Sequence, residues 1–197
     1  MRIQYNCPKP GNPYYNRIED GGYNPAIAGF PQDPNLTVLS NCVGMVLGRF
    51  NAIGMWECCK YLRPCMACSM VKYAKKDGLK IGKQPKLGAV ICWSGGADGC
   101  GHVAIVEQII SKNEIVVSES VYGGDEFRLR AYYRKNGKWD FGLYTFEGFI
   151  YNPAITMKDV YLMRKLVAAG SKDLLYDFDG DGALTMKDVL LVRKSVY

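Results

Sequence analysis

The chain has one histidine, His102, among 197 residues. That scarcity leaves a single ordinary imidazole to serve any thiol nucleophile. No apolar run approaches the ~20 residues needed to cross a bilayer, so no membrane insertion is expected. The N-terminal stretch MRIQYNCPKPGNPYYN lacks an apolar core of ~7–15 residues and does not read as a secretory signal. Lys and Arg form no run: residues 1–154 hold 18 of them against 13 Asp and Glu, and residues 155–197 hold 7 against 6. The net charge of +6 is therefore scattered. It gives only weak support to a nucleic-acid stripe, so no nucleic-acid partner is expected, and it fits either a solvated surface or a loose attraction to an anionic polymer.

Cysteine, by contrast, is plentiful, at positions 7, 42, 58, 59, 65, 68, 92 and 100. Without a secretion signal, reduced thiols are the default. Cys65 and Cys68 form a CxxC with Cys58 and Cys59 just upstream. That segment has no histidine and no second well-spaced CxxC. A zinc or redox site stands beside the plainer reading of buried or idle thiols.

Residues 1–36 are rich in Gly, Pro, Asn and Tyr and read as a loop-rich lead-in. Val43, Val46 and Phe50 fall at helical spacing, which predicts a helix over 42–50. A second helical region is expected from about Met55 to Lys76, broken or kinked at Pro64. Five short β-rich stretches follow, at 88–93, 102–110, 114–120, 127–134 and 144–151, with the punctuation of an antiparallel meander. Helices first and strands afterwards predict an α+β domain with helices on one face of a sheet. From residue 152 an internal repeat begins: Thr156-Met157-Lys158-Asp159-Val160 recurs as Thr185-Met186-Lys187-Asp188-Val189. It predicts two similar helices packed as a small unit, giving domains of 1–151 and 152–197.

The second repeat is preceded by DFDGDGALTMKD, Asp177 to Asp188. Carboxylates stand at loop positions 1, 3, 5 and 12 (Asp177, Asp179, Asp181, Asp188), and Gly182 at position 6 permits the sharp turn. Ala183 at position 7 offers a carbonyl, and Thr185 at position 9 can hold a water. This spacing wraps oxygens around one point as Ca2+ requires. The equivalent first segment, Gly148 to Asp159, has no early carboxylate, so one calcium site is expected. The paired segment resembles a type I dockerin with a degenerate first loop. The resemblance implies docking onto a cohesin-like protein; binding to wall polymer and a sealing role on the main domain are the alternatives.

A thiol attacks carbonyl carbon as thiolate, which a helix N-terminus or an adjacent imidazolium stabilises. Cys42 stands at a predicted helix start behind Ser40-Asn41, which can cap it. Unpaired N–H groups of that first turn are expected to hold thiolate and oxyanion. His102 opens a strand after a glycine-rich loop. Glu119, on the next strand of the same hairpin, is the expected partner for the ring's other nitrogen. Strand alternation places Glu119 on the face of His102 only if the hairpin loop is even, such as Ile110–Asn113 or Ser111–Lys112.

The segments NCVGMVLGRF, PKLGAVICWSGG, GHVAIVEQI and VVSESVYGG resemble, in order, the CHAP family of cysteine, histidine-dependent amidohydrolases/peptidases, itself similar to papain and NlpC/P60 proteins. The resemblance implies a papain-like domain with Cys42 as nucleophile, His102 as base and Glu119 as orienting acid. It also implies cleavage of an amide in bacterial peptidoglycan, as an N-acetylmuramoyl-L-alanine amidase or a cross-bridge endopeptidase. Trp93, Tyr122 and Trp139 are expected groove walls. A phage endolysin, made in the host cytoplasm and acting at the wall, is the expected setting. The alternative from another class is a calcium-dependent adaptor with a spent or regulatory Cys/His domain.

Overall fold

The computed structural model describes residues 1–7, 41–53, 62, 63, 65–122, 125 and 127–196. The lead-in beyond residue 7, residues 54–61 of the second expected helical region, Pro64, Cys58 and Cys59 lie outside the described residues.

Helix α1 spans Cys42–Ile53. Its apolar stripe behaves as the spacing predicts: Val43, Val46 and Phe50 are buried. A short 3-10 turn, Ala67–Ser69, leads into α2, Met70–Lys76, which buries Met70 and Ala74. The strands are β1 (Ile81–Gly82), β2 (Val90–Gly95), β3 (His102–Ser111), β4 (Glu114–Glu119), β5 (Arg128–Tyr133) and β6 (Tyr144–Ile150). All five expected strands form, and the two-residue β1 is an addition.

The sheet order is β1-β6-β2-β3-β4-β5, with every pair antiparallel. This corrects the simple meander. β6 does not extend the sheet beyond β5 but returns to the open edge of β2. The reason lies in the burial of β2: Val90, Ile91, Cys92 and Trp93 are all buried, and a buried strand needs backbone partners on both edges. One face carries Val90, Cys92, Val103 and Ile105 against α1 and α2. The other collects Ile91, Trp93, Ala104, Val106, Ile115 and Val117 around Trp139 and Phe149. Burial on both sides explains the apolar runs Val90–Trp93 in β2 and Val103–Val106 in β3.

Asn152 follows β6 and donates to the Phe50 carbonyl at 3.0 Å. Helices α3 (Met157–Ala168) and α4 (Met186–Ser195) then pack together. Both begin with the same reciprocal cap: Thr156 with Asp159, and Thr185 with Asp188. The repeated Thr-Met-Lys-Asp is thus first a helix-start device, in which side chains satisfy the orphan N–H groups. The helices do not stand apart from the main domain. Val160, Met163, Val189 and Val192 share a buried cluster with Ile3, Leu87, Ile155 and Phe178.

A buried ion pair ties α1 to β3. Arg49 Nε and Nη2 donate to Glu107 Oε1 and Oε2 at 2.8 and 2.7 Å. Glu107 also accepts from the Ser118 hydroxyl at 2.7 Å and from the Gln4 N–H at 3.2 Å. Removing one member strands the other in the interior, which typically costs about 3–5 kcal/mol. Arg49→Met is therefore expected to lower the melting temperature sharply, and Arg49→Met with Glu107→Leu to recover much of the loss. Calorimetry of the two variants checks this; equal destabilisation by both would contradict it.

Candidate active site

Three elements meet at the start of β3. Asn41 closes the N-terminus of α1: its Oδ1 accepts from Val43 N–H at 2.9 Å and Gly44 N–H at 3.4 Å. Its own N–H donates to the Ser120 hydroxyl at 2.8 Å, tying the helix start to the residue after β4. The expected row of unpaired first-turn N–H groups is corrected by this cap. Val43 and Gly44 are spent on Asn41, and the N–H of Cys42 itself makes no such bond among the described residues.

Cys42 is half-buried, and its thiol is among the groups that raise the pKa of the His102 ring. His102 Nε2 is 2.7 Å from Glu119 Oε2, which leaves Nδ1 for the sulfur. Glu119 is fully buried. It also accepts from Arg128 Nε at 2.6 Å and from the Tyr132 hydroxyl at 2.9 Å.

Register explains how Glu119 reaches the ring. The hairpin turn is Lys112–Asn113, with Ser111 opposite Glu114. It is even, as the alternation requires, but one residue further along than either expected turn. Two bulges follow, at Glu107 and Ile110 on β3, so that Ile105 stands opposite Ser118. Unbulged pairing from that turn would set Glu119 opposite Val106, about four residues or ~13 Å along the strand from His102. The two extra residues move it opposite Ala104, about two residues away and on the same face.

The approach to His102 depends on Gly101, which has φ +78°. A side chain there would collide with the Trp93 carbonyl and the Cys68 backbone, so only glycine fits. Trp93 lies beneath the imidazole, with centroids 5.8 Å apart and planes at 21°.

Trp93 and Trp139 are 0% and 1% exposed. They are core residues, and their expected role as groove walls is corrected. The Trp93 indole N–H is satisfied by the Trp139 carbonyl at 2.7 Å, whereas the Trp139 indole N–H is buried with no partner among the described residues. Tyr122 is exposed. The rings bordering the site that sequence reasoning missed are Phe141 and Tyr144, stacked at 4.7 Å and 6.4 and 6.1 Å from the His102 ring. Their signal was the dense aromatic stretch DFGLYTF that runs into the last strand. Of the CxxC, Cys65 is half-buried and Cys68 exposed, and both are free thiols. Burial pushes Cys65 up to about 11, the behaviour of an inert thiol.

At the far end of the molecule, Asp177, Asp179 and Asp188 bring carboxylate oxygens within 4.8 Å of one another. Loop N–H groups orient them: Gly180 and Gly182 donate to Asp177 at 2.8 and 3.0 Å, and Phe178 donates to Asp188 at 2.7 Å. Asp181 pairs instead with Lys187 at 3.0 Å. Thr185, expected to hold a water, serves as the cap of α4. Ala183 sits in the loop, and its N–H donates to Asp181 at 3.1 Å. A hard cation finds an all-oxygen donor set of the right kind in this loop.

Burial disfavours a charged His102, but the bond and charge of Cys42 and of Glu119 outweigh it and raise its pKa from 6.5 to about 9. Burial likewise pushes Glu119 up, but His102, Arg128 and Tyr132 together hold it down at about 2. The stabilisation from a raised His102 is complete below its unfolded value of 6.5 and is lost as pH climbs through about 9. That from a depressed Glu119 is present above 4.5 and lost as pH falls through about 2. The pair thus contributes fully between 4.5 and 6.5. Melting temperature is expected to fall between pH 6.5 and 9, and less so in Glu119→Gln. Parallel slopes for the two proteins would contradict the pairing.

Against known families, residues 32–120 match the model described as the CHAP domain. CHAP domains are generally hydrolases acting on peptidoglycan. Among the described residues no helix is long and apolar enough to cross a membrane, and a CHAP hydrolase acts on the cell wall. The matched span contains Cys42, His102 and Glu119, and it supports a CHAP-domain protein.

Proposed function

We propose that this protein is a cysteine-dependent peptidoglycan amidohydrolase whose working groups are Cys42, His102 and Glu119. The observation that carries the reading is the imidazole held at 2.7 Å by a buried carboxylate, with the Cys42 thiol at the helix start among the groups that raise its pKa. Glu119 fixes the ring and stabilises the imidazolium. The Cys42 thiolate adds to the amide carbonyl, and the Cys42 N–H supports the oxyanion. Nδ1–H of His102 protonates the leaving amine as the C–N bond breaks. The neutral ring then takes a proton from water, whose oxygen displaces the thiolate from the acyl-enzyme and releases the carboxylic acid.

The bond cut is either the muramoyl–alanine amide or a cross-bridge peptide, and the endolysin setting belongs to this proposal. The scattered positive charge of +6 favours approach to anionic wall polymer. Cys42→Ala is expected to abolish turbidity loss of purified walls while leaving the fold intact, and Glu119→Gln to reduce it about 10²-fold or more. Mass spectrometry of the digest separates a freed lactyl group from a new peptide N-terminus. Undiminished lysis by Cys42→Ala would end this reading.

The C-terminal pair is proposed as a calcium-stabilised, dockerin-like module. Asp177, Asp179 and Asp188 supply carboxylate ligands, and Ala183 supplies its carbonyl. Partner binding is supported by side chains that recur with the repeat and stay exposed: Met157 and Tyr161 on α3, Met186 and Leu190 on α4. This face suits a cohesin-like protein. Ca2+ at a hundredfold its dissociation constant stabilises by about 2.7 kcal/mol, a shift of roughly 5–10 °C for a chain of this size. EDTA is expected to remove that shift, and Asp177→Asn to make the protein indifferent to Ca2+. Identical melting with and without Ca2+ would refute the site.

A further inference from the structure

We propose that Arg130 anchors a carboxylate subsite beside the catalytic pair, selecting wall peptides that carry a free carboxylate close to the scissile amide. The inference rests on the peptidoglycan-hydrolase reading and adds the chemical class of substrate. On β5, Arg128, Arg130 and Tyr132 alternate onto the face that holds Glu119, since Glu119 stands opposite Arg128. The two arginines are used differently. Arg128 is committed, with Nε on Glu119 and Nη1 on Asp125 at 2.8 Å. Arg130 donates no hydrogen bond among the described residues. Its nearest acceptor is Glu119 Oε1 at 3.9 Å, too far for one. The guanidinium is held by ring faces, 4.9 Å from the Tyr132 centroid and 5.4 Å from that of Phe141. Its side chain is 43% exposed.

A guanidinium pinned by aromatic rings, with its N–H fork unspent and facing solvent, is preorganised for a planar bidentate anion. Its place in the site fixes what that anion belongs to. Phe141 stacks on Tyr144, and both rings border His102. They form an aromatic floor running from Arg130 to the imidazole. The links Arg130–Glu119 at 3.9 Å and Glu119–His102 at 2.7 Å keep the guanidinium within two to three extended residues of the ring, at ~3.5 Å each. A carboxylate seated on Arg130 therefore lies within two to three residues of the bond under attack. Glu119 does not repel it strongly, because His102, Arg128 and Tyr132 already engage that buried carboxylate.

The test uses the full chain carrying Cys42→Ala, which leaves peptides uncut, and two probes: a synthetic muramyl tripeptide with a free α-carboxylate on its second residue, and its α-carboxamide twin. Calorimetric titration is expected to show the acid binding about tenfold to a hundredfold tighter than the amide. Adding Arg130→Gln erases the difference, and Arg130→Lys keeps part of it. Equal affinity for both probes, no binding of either, or a preference that survives Arg130→Gln overturns the proposal. Turnover of the same peptides by the Cys42 protein is a separate readout. If the binding preference holds but neither peptide is cut, it is the hydrolase reading that fails. An unchanged alkaline fall in melting temperature in Arg130→Gln shows that the Glu119–His102 pair was left alone.

Discussion

Strand β3 carries two residues more than β4 can pair, and much of the molecule depends on where they are placed. The bulge at Glu107 turns consecutive polar residues, Glu107 and Gln108, to the side that carries α1. Glu107 receives Arg49 of α1, and Gln108 reaches the Asp177 carbonyl of the acidic loop at 2.6 Å. With the second bulge, the same displacement sets Glu119 beside His102 rather than a turn of the pleat away. Two irregularities in one ladder thus serve the core, the C-terminal loop and the candidate site together.

The site itself is held by committed groups rather than by the reacting ones. Asn41 spends its oxygen on the first turn of α1 and its N–H on Ser120. Arg128 and Tyr132 hold Glu119. Trp93 supports the ring from below. Each of these groups is itself hydrogen-bonded or packed, so the His102–Glu119 geometry is set before any substrate arrives. Preorganisation of that kind is where an enzyme's electrostatic advantage originates.

Much of this was legible in the sequence because the deciding signals are local. Helical spacing found α1, β-rich texture found five strands, and the lone histidine after a glycine does open a strand and meet Glu119. The alternation rule gave the parity that Glu119 needs, and the even turn is present. What the sequence withheld is set by distant partners. Trp93 and Trp139 look like groove aromatics in one dimension. Only the fold shows an indole N–H matched to a carbonyl forty-six positions away and the rings sealed in the core. The return of β6 to β2 follows from an edge that must be covered, which no local pattern encodes. Phe141 and Tyr144 were hidden for the opposite reason, in a stretch with aromatics to spare. The cap on α1 was expected, but not that it would consume the donors assigned to the oxyanion.

The attachment of the C-terminal helices has a mechanical side. The Phe178 carbonyl accepts from Ile109 N–H at 2.8 Å, the Leu87 N–H donates to Ser195 at 2.9 Å, and the joint is filled by Phe178 and Leu87. There is no slack tether between those helices and the strand that begins with His102. On the proposal that a partner docks on α3 and α4, that partner fixes the bearing of the cleft as well as its whereabouts. The molecule would work like a blade set rigidly in its handle, reaching only those bonds that the grip happens to aim it at.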